Sequence, residues 1–143
     1  GSAGGHLAAC LGVLDDPSPD PVPSKPGLLI LFNPALFHRA AEGTITLTDF
    51  TADTPPAIFF LGDQDEMVVY AQDCLAQGHR LGNEVELHLA ASQGHGFFNR
   101  PPWREATLRE ADRFLAAHGF LEGEPTLVAD PGAPLRRDRA RPS

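Results

Sequence analysis

Cysteine is scarce in this chain. Cys10 and Cys74 are the two among 143 residues, with no Cys-x-x-Cys pair and no Cys/His ligand spacing. Both read as small buried apolar residues, not as a redox or metal motif. Long apolar runs are missing too: no stretch approaches the roughly 18 residues that a membrane span requires. Basic side chains are outnumbered, 11 Lys and Arg against 19 Asp and Glu, for a net charge of −8. That balance leaves no basic face to meet phosphates and argues against a general nucleic-acid binder. His38, His79, His88 and His118 lack carboxylate or cysteine partners at ligand spacing, so neither a metal nor another cofactor is assigned. What the chain does have is apolar mass: 42% hydrophobic residues, enough for the core of one domain.

The informative residues come first. Gly1-Ser2-Ala3-Gly4-Gly5-His6-Leu7-Ala8-Ala9 runs Ser-x-Gly-Gly straight into a small, apolar, helix-prone stretch. That pattern fits a nucleophile elbow, in which a serine sits on a tight strand-to-helix turn with its hydroxyl above the sheet. Small residues are required because the backbone at the serine is strained and strand and helix nearly touch. The Gly-x-Ser-x-Gly form needs a glycine two positions before Ser2, and the first residue is not Met. The expectation is therefore that an N-terminal part is missing. A Gly-Ser start is also what an expression scar or a glycine-rich linker leaves, so the segment needs support from downstream.

Two segments supply it, in order. Ala57-Ile58-Phe59-Phe60-Leu61-Gly62 reads as a buried strand, and Asp63-Gln64-Asp65-Glu66 follows where an open α/β sheet presents functional groups. Glu84-Val85-Glu86-Leu87-His88-Leu89 alternates like a half-buried strand and leads into Gln93-Gly94-His95-Gly96-Phe97-Phe98-Asn99. Serine, acid, histidine is the chain order of the α/β-hydrolase triad, unlike the chymotrypsin or subtilisin orders.

Ser-Ala-Gly-Gly-His-Leu-Ala, Phe-Leu-Gly-x-x-Asp and Gly-His-Gly-Phe-Phe-Asn together resemble the C-terminal half of an α/β-hydrolase of the acetyl esterase/lipase type. That type includes acetyl xylan esterase-like, feruloyl esterase-like and hormone-sensitive-lipase-like enzymes. The resemblance covers Gly1 to about Leu121, read as catalytic domain, with 122–143 left as a solvated, disordered tail that ends in arginines. It implies an α/β fold, the C-terminal portion of a mainly parallel sheet flanked by helices, with the strands before the elbow missing. In the family the acid is the third residue after the strand-ending glycine, which maps to Asp65; Asp63 sits at a variable position and is the second choice.

The roles follow from chemistry. A serine hydroxyl is a poor nucleophile until a base takes its proton, and His95 is that base. Asp65 would hold the imidazole tautomer and stabilise the imidazolium. The N–H of Ala3, the residue after the nucleophile, would supply one oxyanion donor. The family's other donors come from an upstream His-Gly-Gly-Gly-type loop, and this sequence contains none.

Elsewhere, Leu7 to about Leu14 is expected to be the elbow helix and Asp15–Pro26 a proline-rich surface loop. Gly27–Phe32 reads as a parallel strand buried on both faces. Thr44–Thr48 alternates like a small strand, in a region where the resemblance implies a lid-like or substrate-facing insertion, here a short one. Helices are expected over Val69–Leu81, stopped by Gly82-Asn83, and over Arg104–His118, stopped by Gly119. His6 is read as a packing residue, and Phe97, Phe98 and Trp103 as packing around the histidine loop. This makes three strands and about three helices. Ser2, Asp65 and His95 should converge at strand C-terminal ends, with Ser2 the least firmly held.

The implied activity is that of a serine carboxylic-ester hydrolase acting through an acyl-enzyme on acetyl or other short acyl esters of small molecules or carbohydrates. Two alternatives stay open: a prolyl oligopeptidase-type peptidase, which shares the fold and triad order, and a truncated hydrolase half with no activity of its own. No nucleic-acid or membrane partner is expected. Dimerisation through the last strand and the cellular compartment are left open.

Overall fold

A computed structural model describes residues 1–14, 22, 24–36, 50–128 and 130–140. Most of the Asp15–Pro26 loop and the whole Thr44–Thr48 segment lie outside these residues. The elements run α1 (Ser2–Val13), β1 (Leu29–Phe32), β2 (Ala57–Gly62), α2 (Val68–Leu81), β3 (Val85–Ala90), a 3₁₀ turn (Phe97–Asn99), α3 (Trp103–Ala117) and β4 (Leu135–Ala140). The strands form one sheet in the order β1-β2-β3-β4. The first three are parallel and β4 is antiparallel to β3.

Alternation along the strands sorts the core into two layers. Leu31, Phe59, Leu61, Leu87 and Leu89 face the layer that contains Ala9 and Cys10 of α1 and Ala71 and Cys74 of α2. Ile58, Phe60 and Ala90 face the layer that contains Ala111 and Phe114 of α3. β2 is buried at every position, as a continuous apolar run between two helical layers requires. In α2 the inward residues Ala71, Cys74 and Gly78 recur at helical spacing, and Gly82 ends the helix in the left-handed region at φ 78°. Close approach explains two glycines of α1. A Cβ at Gly5 would lie 2.9 Å from Pro34 Cα, and one at Gly12 2.7 Å from Leu29 Cδ1. Among the described residues no helix is long and apolar enough to cross a membrane.

Four expectations are corrected. The 122–143 tail is not wholly irregular, because Leu135–Ala140 forms a fourth strand paired residue for residue with Val85–Ala90. Its arginines hide it in the sequence, but backbone pairing needs no apolar pattern, and Ala140 at its end is buried. β3, in turn, is buried at all six positions and not at alternate ones. Its polar face is dry because Glu86 is fully partnered: the carboxylate meets His88 Nε2 at 2.9 Å, Arg139 Nη2 at 3.0 Å and the Arg113 guanidinium. Burial is the largest single influence on Glu86 and pushes its carboxyl up. The His88 bond and the charges of Arg113 and Arg139 together outweigh it and hold the group at about 2. The elbow helix begins at Ser2 itself, and β1 is shorter than Gly27–Phe32.

Candidate active site

The C-terminal ends of β1, β2 and β3 lie side by side, and each leads into a segment that places one polar side chain. β1 ends in Asn33-Pro34, and the first turn of α1 docks against it. Ser2 N–H donates to Asn33 O at 2.9 Å, and Ala35 N–H donates to Ser2 O at 3.0 Å. Ser2 is therefore clamped, contrary to the expectation that it would be the least firmly held of the three. Its φ of 50° lies in the left-handed region, which costs a non-glycine residue about 1–3 kcal/mol unless the surroundings enforce it. Ala3 lies in the same first turn, where backbone N–H groups have no intrahelical acceptor.

β2 ends at Gly62, and the turn that follows passes backbone to backbone against the loop after β3. Gln64 N–H donates to Gln93 O at 2.9 Å, and Asp63 N–H to Ala90 O at 3.0 Å. A Cβ on Gly62 would sit 2.0 Å from Gln93 O, so only glycine permits this contact. The two acidic candidates part here. Asp63 is exposed, and its Oδ1 accepts the Ser92 N–H at 2.7 Å. Asp65 is buried: its Oδ1 accepts the Met67 N–H at 3.0 Å and its Oδ2 faces His95 Nδ1 at 2.8 Å.

His95 is half exposed, five residues beyond the end of β3. Its Nε2 lies 3.2 Å from Ser2 Oγ. A carboxylate can only accept, so Nδ1 carries the proton toward Asp65, and Nε2 is left as the acceptor for the Ser2 hydroxyl. Phe97 packs edge-on against Trp103 and Phe98, at ring centroid distances of 5.8 and 6.0 Å. These aromatics brace the histidine loop against α3. Ser2, Asp65 and His95 share a cleft of about 440 Å³ with Ala35, Glu66 and Met67. A larger cavity of about 590 Å³ lies between α3 and β4 and contains none of the three.

One buried polar residue at the site, Asn33, is not among those that the sequence singles out. Its side chain bonds both Asp65 and the backbone beside His95. Three of the other histidines are engaged elsewhere. His6 Nε2 is 3.5 Å from Cys10 Sγ, His88 pairs with Glu86, and His118 Nδ1 donates to Phe114 O at 2.8 Å. His38 lies outside the described residues. Burial raises the thiols of both cysteines, that of Cys74 to about 12 with help from Asp73, so neither is a ready thiolate. Among the described residues no group of three or more His, Cys, Asp or Glu could hold a metal ion.

This chain is similar to esterase 2 of Thermogutta terrifontis. The esterase 2 structure phosphorylated by paraoxon matches at 33% identity and a TM-score of 0.76, over 86% of this chain and 54% of its own. The apo form matches at 32% and 0.75, over 87% and 56%. The butyrate-bound form matches at 29% and 0.76, over 87% and 56%. The chain thus spans about half the length of esterase 2. At that identity and coverage the likeness supports an esterase hydrolase fold, with four strands of a mixed sheet flanked by helices. No family model matches the chain, and no curated protein matches it.

Proposed function

We propose that this chain carries the nucleophile, base and acid of a serine carboxylic-ester hydrolase working through an acyl-enzyme. The observation that carries the reading is the continuous path from Ser2 Oγ through the His95 ring to the buried Asp65 carboxylate, 3.2 and 2.8 Å long in its two steps. Three further facts support it: the left-handed Ser2 backbone, the open cleft, and the likeness to esterase 2.

The chemistry then runs on this chain's own groups. Ser2 Oγ bonds to the ester carbonyl carbon while its proton passes to His95 Nε2, and the carbonyl electrons move onto oxygen. The Ala3 N–H faces that oxyanion. His95 returns the proton to the leaving alcohol oxygen as the ester C–O bond breaks. Water, deprotonated by His95, releases the acid from Ser2 in the same way. Asp65 stays ionised throughout and offsets the imidazolium charge.

Esterase 2 has propionate- and butyrate-bound forms. By that analogy the acyl group is short; the resemblance read in the sequence makes the alcohol part a small molecule or a sugar. The test is hydrolysis of p-nitrophenyl acetate and butyrate by the natural protein that carries this chain. Ser2→Ala and His95→Ala should each lower kcat by on the order of 10⁶-fold. Parent-level turnover by Ser2→Ala would sink the reading, and preferential cleavage of a prolyl p-nitroanilide would move it to the peptidase class.

A further inference from the structure

Asn33 touches all three arms of the site. Its backbone oxygen accepts from Ser2 N–H at 2.9 Å. Its Nδ2 donates to Asp65 Oδ2 at 2.6 Å, the same oxygen that faces His95 Nδ1. Its Oδ1 accepts the N–H of Gly96, the residue after His95, at 3.0 Å. The side chain is fully buried and does not line the cleft, so it is not placed to touch substrate.

We propose that Asn33 is the positioning residue of this site, a carboxamide strut that fixes the acid and the base relative to one another. This rests on the ester-hydrolase reading above. The argument is one of counting donors and acceptors. Asp65 Oδ1 is held by the Met67 N–H, which leaves Oδ2 to rotate toward or away from the imidazole. A second donor converging on Oδ2 fixes the carboxylate plane, and only a group with a donor and an acceptor on one rigid end can also hold the Gly96 N–H. Asparagine has both. It also tolerates the backbone required here, φ 40° in the left-handed region, which Asp shares and most other residues do not. Gln would place the amide one methylene too far along, and Leu or Ala would leave Asp65 and Gly96 without their partners in a buried setting.

The bond to Ser2 uses the backbone oxygen and not the side chain, so a substitution that tolerates the left-handed backbone isolates the side chain's part. Asn33→Gly keeps the left-handed backbone and the Ser2 clamp while removing both side-chain bonds. Misplacement of a base by about 1 Å can cost about 100-fold, so kcat should fall by 10- to 100-fold with KM little changed. If Asn33 acts through Asp65, its loss should be largely masked in the Asp65→Asn background. A merely structural role would instead give losses that multiply.

Asn33→Asp provides the second handle, whether or not the glycine variant folds. It keeps the acceptor for Gly96 and sets a second carboxyl against Asp65. The titratable groups facing this position are Asp65 and, through it, His95; the neighbours from α1 and β2 are the backbone groups Ser2 N–H and Phe60 O. A pair of carboxyls at hydrogen-bond distance holds one proton more readily than either alone, and that proton restores the bond to Asp65. Activity relative to the parent should therefore rise as pH falls. The experiment is steady-state kinetics on p-nitrophenyl butyrate against pH for the parent, both Asn33 variants, Asp65→Asn, the double variant and Ser2→Ala. A parent-like kcat for Asn33→Gly, multiplying losses, or a pH-independent ratio for Asn33→Asp would overturn the proposal. Should Ser2→Ala keep full activity, the ester-hydrolase reading itself fails, which is a separate result.

Discussion

Asp63 and Asp65 are two residues apart, and their surroundings divide them. Asp63 faces solvent and ties the Ser92 backbone, a loop-to-loop clamp. Asp65 is buried, with the Met67 N–H on Oδ1 and the Asn33 side-chain amide and the imidazole on Oδ2. In the ester-hydrolase reading, Asp65→Asn should lower kcat on the order of 10⁴-fold, because the imidazole loses its enforced tautomer. Asp63→Asn should leave kcat within a small factor and act mainly on thermal stability. Kinetics and melting curves of both variants check this, and the reverse ranking would move the acid to Asp63. At this scale the sequence was legible wherever a residue type has few uses: a serine before paired glycines, an acid after a strand-ending glycine, a histidine between glycines. Asn33 was not legible, because an Asn-Pro after an apolar run already has an ordinary explanation as a strand end. Its partners come from residues about 30 and 60 positions away, beyond the reach of any local pattern.

The elements show the same divide. β2 was readable because a strand buried on both faces must be apolar throughout. β3 was readable as a strand but misread for burial, since Glu86 and His88 look solvated until Arg113 from α3 and Arg139 from β4 are seen to close over them. β4 was unreadable for the complementary reason, as it is rich in arginine and Arg139 serves Glu86 of the partner strand. This cluster has a consequence for pH. The Glu86 carboxyl lies at about 2 in the fold against an ordinary 4.5, so the folded state favours its charged form. The stability it contributes is fully present above about 4.5 and is lost as pH falls through about 2. Denaturant midpoints should therefore drop across that window. Glu86→Gln should flatten the drop while lowering stability near neutrality, where Arg113 and Arg139 would lack their carboxylate. A midpoint that falls equally in parent and Glu86→Gln would show that other carboxylates govern acid unfolding.

At the scale of the molecule, three parallel strands end together, and the segments beyond them converge with the first turn of α1, which brings Ser2 to His95 across 93 positions of sequence. Chain order and strand ends were enough to anticipate that convergence, because parallel strands joined by helices must all point one way. The firmness of the Ser2 end could not be anticipated. It depends on the bridge between Ser2 and Pro34 and on the helix lying close enough for Gly5 to touch Pro34. In the ester-hydrolase reading this geometry makes Ser2 a nucleophile. Esterase 2 has a form phosphorylated by paraoxon, and the same reagent poses the question here. The natural protein carrying this chain should be treated with paraoxon, and intact mass and peptide mapping should locate the diethylphosphoryl group. One adduct on Ser2, with stoichiometric release of p-nitrophenol, absent in Ser2→Ala and strongly slowed in His95→Ala, is the predicted result. An adduct on another residue, or labelling that persists in Ser2→Ala, would contradict the account.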